Sequence, residues 1–210
     1  MMRVARAGHL TIGVLLVLVV SSLLLRFWVG FAISLVLLLV AAFFYRDPKR
    51  VIVTNANQIL SPADGTIVKI VNGYHTPHYE QPVCMVRIFL SLFDVHINRS
   101  PIRGVINDSQ YFPGKHLVAF HEKASLDNER LYLLFTNSRT EVGVLHIAGL
   151  IARRIVTYKD VRSKLMQGEI YGMIKLGSCV EVYLEPNVSV TVQEGDSVRA
   201  GRSVIGELTD

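Results

Sequence analysis

The chain opens on two uncharged apolar runs and then changes character. Leu10–Leu25 gives 16 residues, Arg26 interrupts, and Phe27–Tyr45 gives 19 more. As helices these reach about 24 and 28 Å, against a bilayer hydrocarbon core of about 30 Å. The pattern predicts a membrane hairpin of two helices turning near Arg26–Gly30, with Phe27 and Trp28 suited to an interfacial turn. Two other expectations compete with it. A signal peptide over residues 1–25 would need a small-residue cleavage site, which does not follow the first run. A single tilted span would put the remainder of the chain on the other side of the membrane.

From Val51 onward the period is mostly two. Thr66–Val71, Val83–Leu90, Leu131–Thr136 and Glu141–Ile147 are short runs rich in Val, Ile, Leu and Tyr. Cys179–Glu185 alternates Val180, Val182 and Leu184 with Glu181, Tyr183 and Glu185, the period of a half-buried strand. Turn residues recur at Ala63–Gly65, Pro113–Gly114, Glu194–Asp196 and Ala200–Gly201, and Ser125–Arg130 reads as a polar loop. Ile59–Ile70 and Val192–Leu208 each set a Gly-containing acidic turn beside a β-branched strand, so they read as partners. The second has the cadence of the hammerhead half-motif of lipoyl domains. The expected fold is mainly β (α+β), an interlocked barrel or sandwich over residues 51–210, behind an anchor over residues 1–50.

Charge sharpens this division. Arg3, Arg6, Arg26, Arg46, Lys49 and Arg50 against Asp47 account for the whole net charge of +5. The remainder is balanced, which excludes a nucleic-acid binder that would carry its basic charge on the folded domain. Basic residues at both outer ends of the hairpin place those ends, and the domain after them, on the cytoplasmic side. Cys84 and Cys179 form no ligand spacing and read as free thiols in a reducing compartment.

Three clusters could carry chemistry. Ser61-Pro-Ala-Asp-Gly65 is a turn sequence that could also hold the Asp64 carboxylate rigidly. Phe89–Pro101 runs an apolar strand into Asp94, His96, Asn98 and Arg99, and alternation puts Asp94, His96 and Asn98 on one face if the strand continues. A carboxylate, an imidazole and an amide so placed suit proton transfer near neutral pH. Gly177-Ser178 is a bend entering a strand. His75 and His78 share a turn-rich stretch without further placed ligands, so no metal site is expected. Cys179 has no placed His partner that would mark it as a nucleophile.

Together these clusters resemble the phosphatidylserine decarboxylase family in its short bacterial and archaeal form. The resemblance runs in order through Phe43-Phe-Tyr-Arg-Asp-Pro-Lys-Arg50, Ser61–Gly65, Phe93–Pro101, Asp127-Asn-Glu-Arg130, Ile147-Ala-Gly-Leu-Ile-Ala-Arg-Arg154 and Gly177-Ser178. It covers nearly the whole chain. It implies a lyase that turns phosphatidylserine into phosphatidylethanolamine plus CO2 through a Schiff base to a covalent pyruvoyl cofactor. That cofactor would arise from Ser178 by autocatalytic cleavage after Gly177. A β chain of residues 1–177 and an α chain of residues 178–210 would stay together as a heterodimer, with higher oligomers left open. Asp64 is then the base-orienting carboxylate of self-cleavage, and His96 the acid–base group of decarboxylation.

The chain departs from longer relatives, which carry a second histidine where Arg99 stands. Either His96 serves both reactions or another group serves self-cleavage. Arg99, with Asn98, would instead meet the substrate's carboxylate or phosphate. His146 and Cys179 also differ from the residues expected at their places. Two other readings stay open: a decarboxylase of another serine lipid, such as archaetidylserine, and a non-catalytic membrane adaptor with a lipoyl-like domain.

Overall fold

The structure, a computed structural model, describes residues 3–114, 128–149, 155–174 and 178–209. It divides into two compact units, Met1–Lys49 and Arg50–Asp210.

In the first unit a short strand β1 (Arg3–Val4) and a 3-10 turn lead into α1 (His9–Leu24). The helix α2 (Trp28–Phe44) returns the chain to β2 (Arg46–Asp47). Arg26 makes the reversal in the left-handed region, at φ 53°. β1 pairs antiparallel with β2, and the Ala5 amide donates to the Tyr45 carbonyl at 2.8 Å, so the two ends of the unit are tied together. Apolar side chains such as Leu10, Val17, Leu24, Leu39 and Val40 are exposed around both helices. Ser21 and Ser34 return their hydroxyls to the carbonyls of Val17 and Phe31. Helices apolar all round, with hydroxyls such as those of Ser21 and Ser34 satisfied internally, suit a hydrocarbon solvent. Arg6–Leu24 is long and apolar enough to cross a membrane, and Trp28–Phe44 is a shorter apolar helix.

The second unit is built of strands. They are β3 (Gln58–Leu60), β4 (Gly65–Tyr74), β5 (Val83–Leu90), β6 (Ile97–Arg99), β7 (Gly104–Phe112), β8 (Arg130–Thr136), β9 (Glu141–Ala148), β10 (Ile155–Thr157), β11 (Lys164–Leu165), β12 (Ile170–Ile174), β13 (Ser178–Leu184), β14 (Val188–Val190), β15 (Ser197–Val198) and β16 (Val204–Leu208). The main sheet runs β11-β7-β8-β9-β13-β5-β4-β15, flanked by the small sheets β10-β12-β6 and β14-β16-β3. The two segments expected to be partners are paired, β3 with β16 and β4 with β15.

β13 departs from expectation. Its sequence alternates, but all seven residues are buried, so it is not half exposed. Val180, Val182 and Leu184 enter the larger core with Val86, Ile88, Val142 and Val144. Cys179 and Tyr183 enter a second cluster with Met85, Tyr132 and Ile147 on the opposite face. Glu181 is tolerated there because Arg87 donates to its Oε1 through Nε and Nη2, at 3.0 and 2.6 Å, and Tyr183 donates to Oε2 at 2.7 Å. A buried charge needs such partners.

Candidate active site

Ser178 begins β13 and is wholly buried. It stands opposite Leu90, the last residue of β5, and opposite Ala148, the last of β9. Strand alternation turns its side chain to the same face as Val180 and Val182. Among the described residues its Oγ has no hydrogen-bond partner. A buried hydroxyl left unpaired costs about 1–3 kcal/mol.

The neighbouring strand end explains how Ser178 is held. The Ala148 amide donates to the Glu129 carbonyl at 2.9 Å, and its carbonyl accepts from Asn128 Nδ2 at 2.7 Å. Both Ala148 main-chain groups therefore point away from β13. Ser178 and Ala148 form the narrow, non-hydrogen-bonded kind of pair, and the main-chain groups of Ser178 face β5.

The other clusters meet at this end of the sheet. Beyond Leu90 the chain makes a turn in which Asp94 Oδ2 accepts from the Ser91 amide and hydroxyl, at 2.8 and 2.6 Å. His96 follows, fully buried, with Nδ1 3.0 Å from the Asp94 carbonyl. A carbonyl can only accept, so Nδ1 carries the proton and Nε2 is the basic nitrogen. The Ile174 amide donates to the His96 carbonyl at 3.1 Å, and Ser178 lies four residues beyond Ile174. An extended link of that length spans at most about 14 Å.

The Ser61–Asp64 turn joins from the other side, where the Arg99 amide donates to the Pro62 carbonyl at 2.9 Å. Gly65 brings the turn against the end of β5. Its φ is +153°, and a Cβ there would lie 2.1 Å from the Phe89 carbonyl oxygen. Phe89 pairs with Thr66 on one side and Cys179 on the other. The chain beside Asp64 therefore runs two strands from the start of β13, about 10 Å away at the usual strand spacing.

Asp64 is engaged from a residue that sequence reasoning placed elsewhere. Arg50, counted with the basic flank of the anchor, donates Nη1 to Oδ1 at 2.7 Å and Nη2 to Oδ2 at 2.6 Å. The Ala200 amide also donates to Oδ1, at 2.8 Å. The signal for Arg50 lay in the Phe43–Arg50 motif itself, which ends on that residue. Asn98 and Arg99 are buried. Arg99 Nη1 donates to the Gly168 carbonyl at 3.1 Å, and Asn98 Nδ2 comes no closer than 3.5 Å to the Pro62 carbonyl.

Gly177, Asp127 and residues 150–154 of the Ile147–Arg154 motif lie outside the described residues. Burial pushes the Cys179 thiol up to about 12, which disfavours the thiolate that a nucleophile needs. His146 lies on β9 opposite Val180. Its Nδ1 is 3.2 Å from the Leu131 carbonyl and its Nε2 is 2.8 Å from the Tyr171 hydroxyl. Burial pushes its pKa down to about 4. Clefts of about 720 Å³ beside Arg103 and about 310 Å³ beside His78 take no wall from Ser178, His96 or Asp64.

The family model described as phosphatidylserine decarboxylase matches residues 37–206. The chain belongs to the phosphatidylserine decarboxylase family. It is thereby a member of a decarboxylase family, the carboxy-lyases. Relatives that carry the name phosphatidylserine decarboxylase proenzyme include three from different bacteria. One from Carboxydothermus hydrogenoformans is 41% identical over 204 residues, covering 97% of this chain and 95% of its own. One from Symbiobacterium thermophilum is 40% identical over 206 residues, covering 98% and 95%. One from Nitrosomonas eutropha is 43% identical over 193 residues, covering 90% and 89%. Membership thus spans both units of the chain, and the word proenzyme in the relatives' names denotes a precursor.

Proposed function

We propose that this chain is a membrane-anchored phosphatidylserine decarboxylase precursor that cuts itself between Gly177 and Ser178, then releases CO2 from phosphatidylserine to give phosphatidylethanolamine. The observation that carries the reading is the Ser178 hydroxyl, buried and unpaired among the described residues where the Asp64 turn and the His96 strand converge. Family membership and the relatives' names support the substrate.

In self-cleavage, Ser178 Oγ bonds to the Gly177 carbonyl carbon. The Gly177–Ser178 C–N bond breaks, the hydroxyl proton passes to the Ser178 nitrogen, and an ester remains. Loss of the Ser178 Cα proton and of the Gly177 carboxylate leaves dehydroalanine, which takes up water and releases ammonia. A 33-residue α chain then begins with a pyruvoyl group, and residues 1–177 form the β chain. The residues present fit that group, because the hydroxyl needed to make it is buried with no competing partner among the described residues. The pyruvoyl group supplies a carbonyl that condenses with the substrate amine and takes up the electron pair left when CO2 departs.

This chain's own residues do the rest. Asp64 orients the proton transfers of self-cleavage. His96, with Nδ1 tied to the Asp94 carbonyl, takes up a proton from water at Nε2 and delivers it to the substrate Cα. Arg99 and Asn98 are the proposed partners of the substrate's phosphate or carboxylate. The α1–α2 hairpin holds the enzyme in the bilayer where its lipid substrate resides, and Arg3, Arg6, Arg46 and Lys49 favour a cytoplasmic catalytic unit. The pairing of β3 with β16 and β4 with β15 supports the interlocked, hammerhead-like barrel. It would also hold the two chains as a heterodimer.

The test is intact mass of the purified full chain, before and after borohydride treatment with phosphatidylserine. Two pieces, with the smaller one gaining the substrate's mass on reduction, are expected. An active preparation in which Ser178 remains in an uncut chain would overturn the mechanism.

A further inference from the structure

Arg50 stands at the start of the second unit, yet its side chain is only 6% exposed. It grips Asp64 with both prongs and also donates Nη1 to the Ala200 carbonyl at 2.6 Å. Ala200 in turn donates its amide to Asp64 Oδ1, so Oδ1 holds two donors. Among the described residues Oδ2 accepts from Arg50 alone. A carboxylate offers about four acceptor positions, two on each oxygen. The fork therefore leaves one position, on Oδ2, of a carboxylate that cannot rotate.

The turns around this pair do not need it for their attachment. The Gly201 amide donates to the Ser61 carbonyl at 2.9 Å, and the Ser61 amide donates to the Ser203 carbonyl at 2.8 Å. A buried ion pair adds little net stability, because desolvating both charges offsets their attraction. What Arg50 adds beyond those bonds is direction. It fixes which way the Asp64 carboxylate faces, at the end of the sheet where Ser178 begins β13.

We propose that Arg50 is a positioning residue of the self-cleavage site, acting through Asp64. The inference rests on the reading of Asp64 given above. It assigns to the last residue of the Phe43–Arg50 motif a role in the reaction, in addition to leaving the membrane. A two-pronged planar donor is required, so lysine is not equivalent.

The experiment follows chain splitting in time after cell-free synthesis of the full chain into vesicles of phosphatidylethanolamine and phosphatidylglycerol. Arg50→Gln, Arg50→Lys, Asp64→Asn and the double variant Arg50→Gln/Asp64→Asn are compared with the parent. A small misplacement of a catalytic group can cost about 100-fold, so each single change should slow splitting by at least about 10-fold. The double variant should be no slower than the slower single, because both changes remove one interaction. In Arg50→Ala, millimolar guanidinium should restore part of the rate, which a merely structural tether would not allow. Thermal unfolding of each uncut chain checks that it is folded, and Arg50→Lys decides if Arg50→Gln is not.

Parent-like splitting in folded Arg50→Gln or Arg50→Lys, with Asp64→Asn slow, overturns the inference and leaves Asp64 standing. Multiplying effects in the double variant overturn it as well. Parent-like splitting in Asp64→Asn removes both the inference and the reading beneath it.

Discussion

Ser178 and Leu90 face each other at the ends of two central strands, the hydroxyl wholly buried opposite a hydrocarbon side chain. Ala148 stands on its other side. A hydroxyl among such neighbours is a cost in the uncut chain. Ser178→Ala should therefore remain a single chain by intact mass and release no CO2. It should unfold no more easily than uncut parent chain, and is expected to gain up to about 1 kcal/mol.

His96 should be separable from the nucleophile. His96→Gln keeps polar reach but cannot shuttle a proton at Nε2. CO2 release per split chain should fall at least about 100-fold, measured from labelled phosphatidylserine. Full activity in a split His96→Gln chain would exclude His96 as the acid–base group.

The Arg87–Glu181 pair should matter for folding rather than chemistry. Arg87→Met strands the Glu181 carboxylate in the second core cluster with Tyr183 as its remaining donor among the described residues. Such an uncompensated charge costs about 3 kcal/mol or more. Urea unfolding of the chain in detergent, in the Ser178→Ala background, should show that loss. Arg87→Met/Glu181→Gln should recover much of it.

His146 makes stability depend on pH. Burial lowers its folded pKa to about 4 from an ordinary value of 6.5. Between those values the unfolded chain binds the proton and the folded chain does not. The contribution is complete above pH 6.5 and is lost as pH falls toward 4, about 2 kcal/mol by pH 5. His146→Gln should flatten that part of the pH dependence in unfolding measurements.

Sequence pattern and structure agree where one physical cause dominates. Val83–Leu90 is a strand with the bounds that its apolar run predicts, and the two apolar helices follow the two uncharged runs within a few residues. β13 was legible as a strand but not as one buried on both faces. Glu181 and Tyr183 look solvent-facing until Arg87, 94 residues away in sequence, supplies the charge partner of Glu181, to which Tyr183 also donates. Asp64, His96 and Ser178 were legible as separate clusters, and it is the register of β4, β5 and β13 that puts the chain beside Asp64 and the start of β13 at one end of the sheet. Arg50 was masked by its setting, since a basic residue just past an apolar run has an ordinary explanation at the membrane surface.

The central place of β13 bears on the working life of each molecule. It lies between β5 and β9, while β15 and β16 are stitched to β4 and β3. After a cut before Ser178, the small chain could not leave without dismantling the core, and no fresh copy could enter. A reactive group carried at its head would be neither borrowed from a pool nor replaced when damaged. Repair would mean synthesis of a new polypeptide, so the supply of active sites would be set by translation alone.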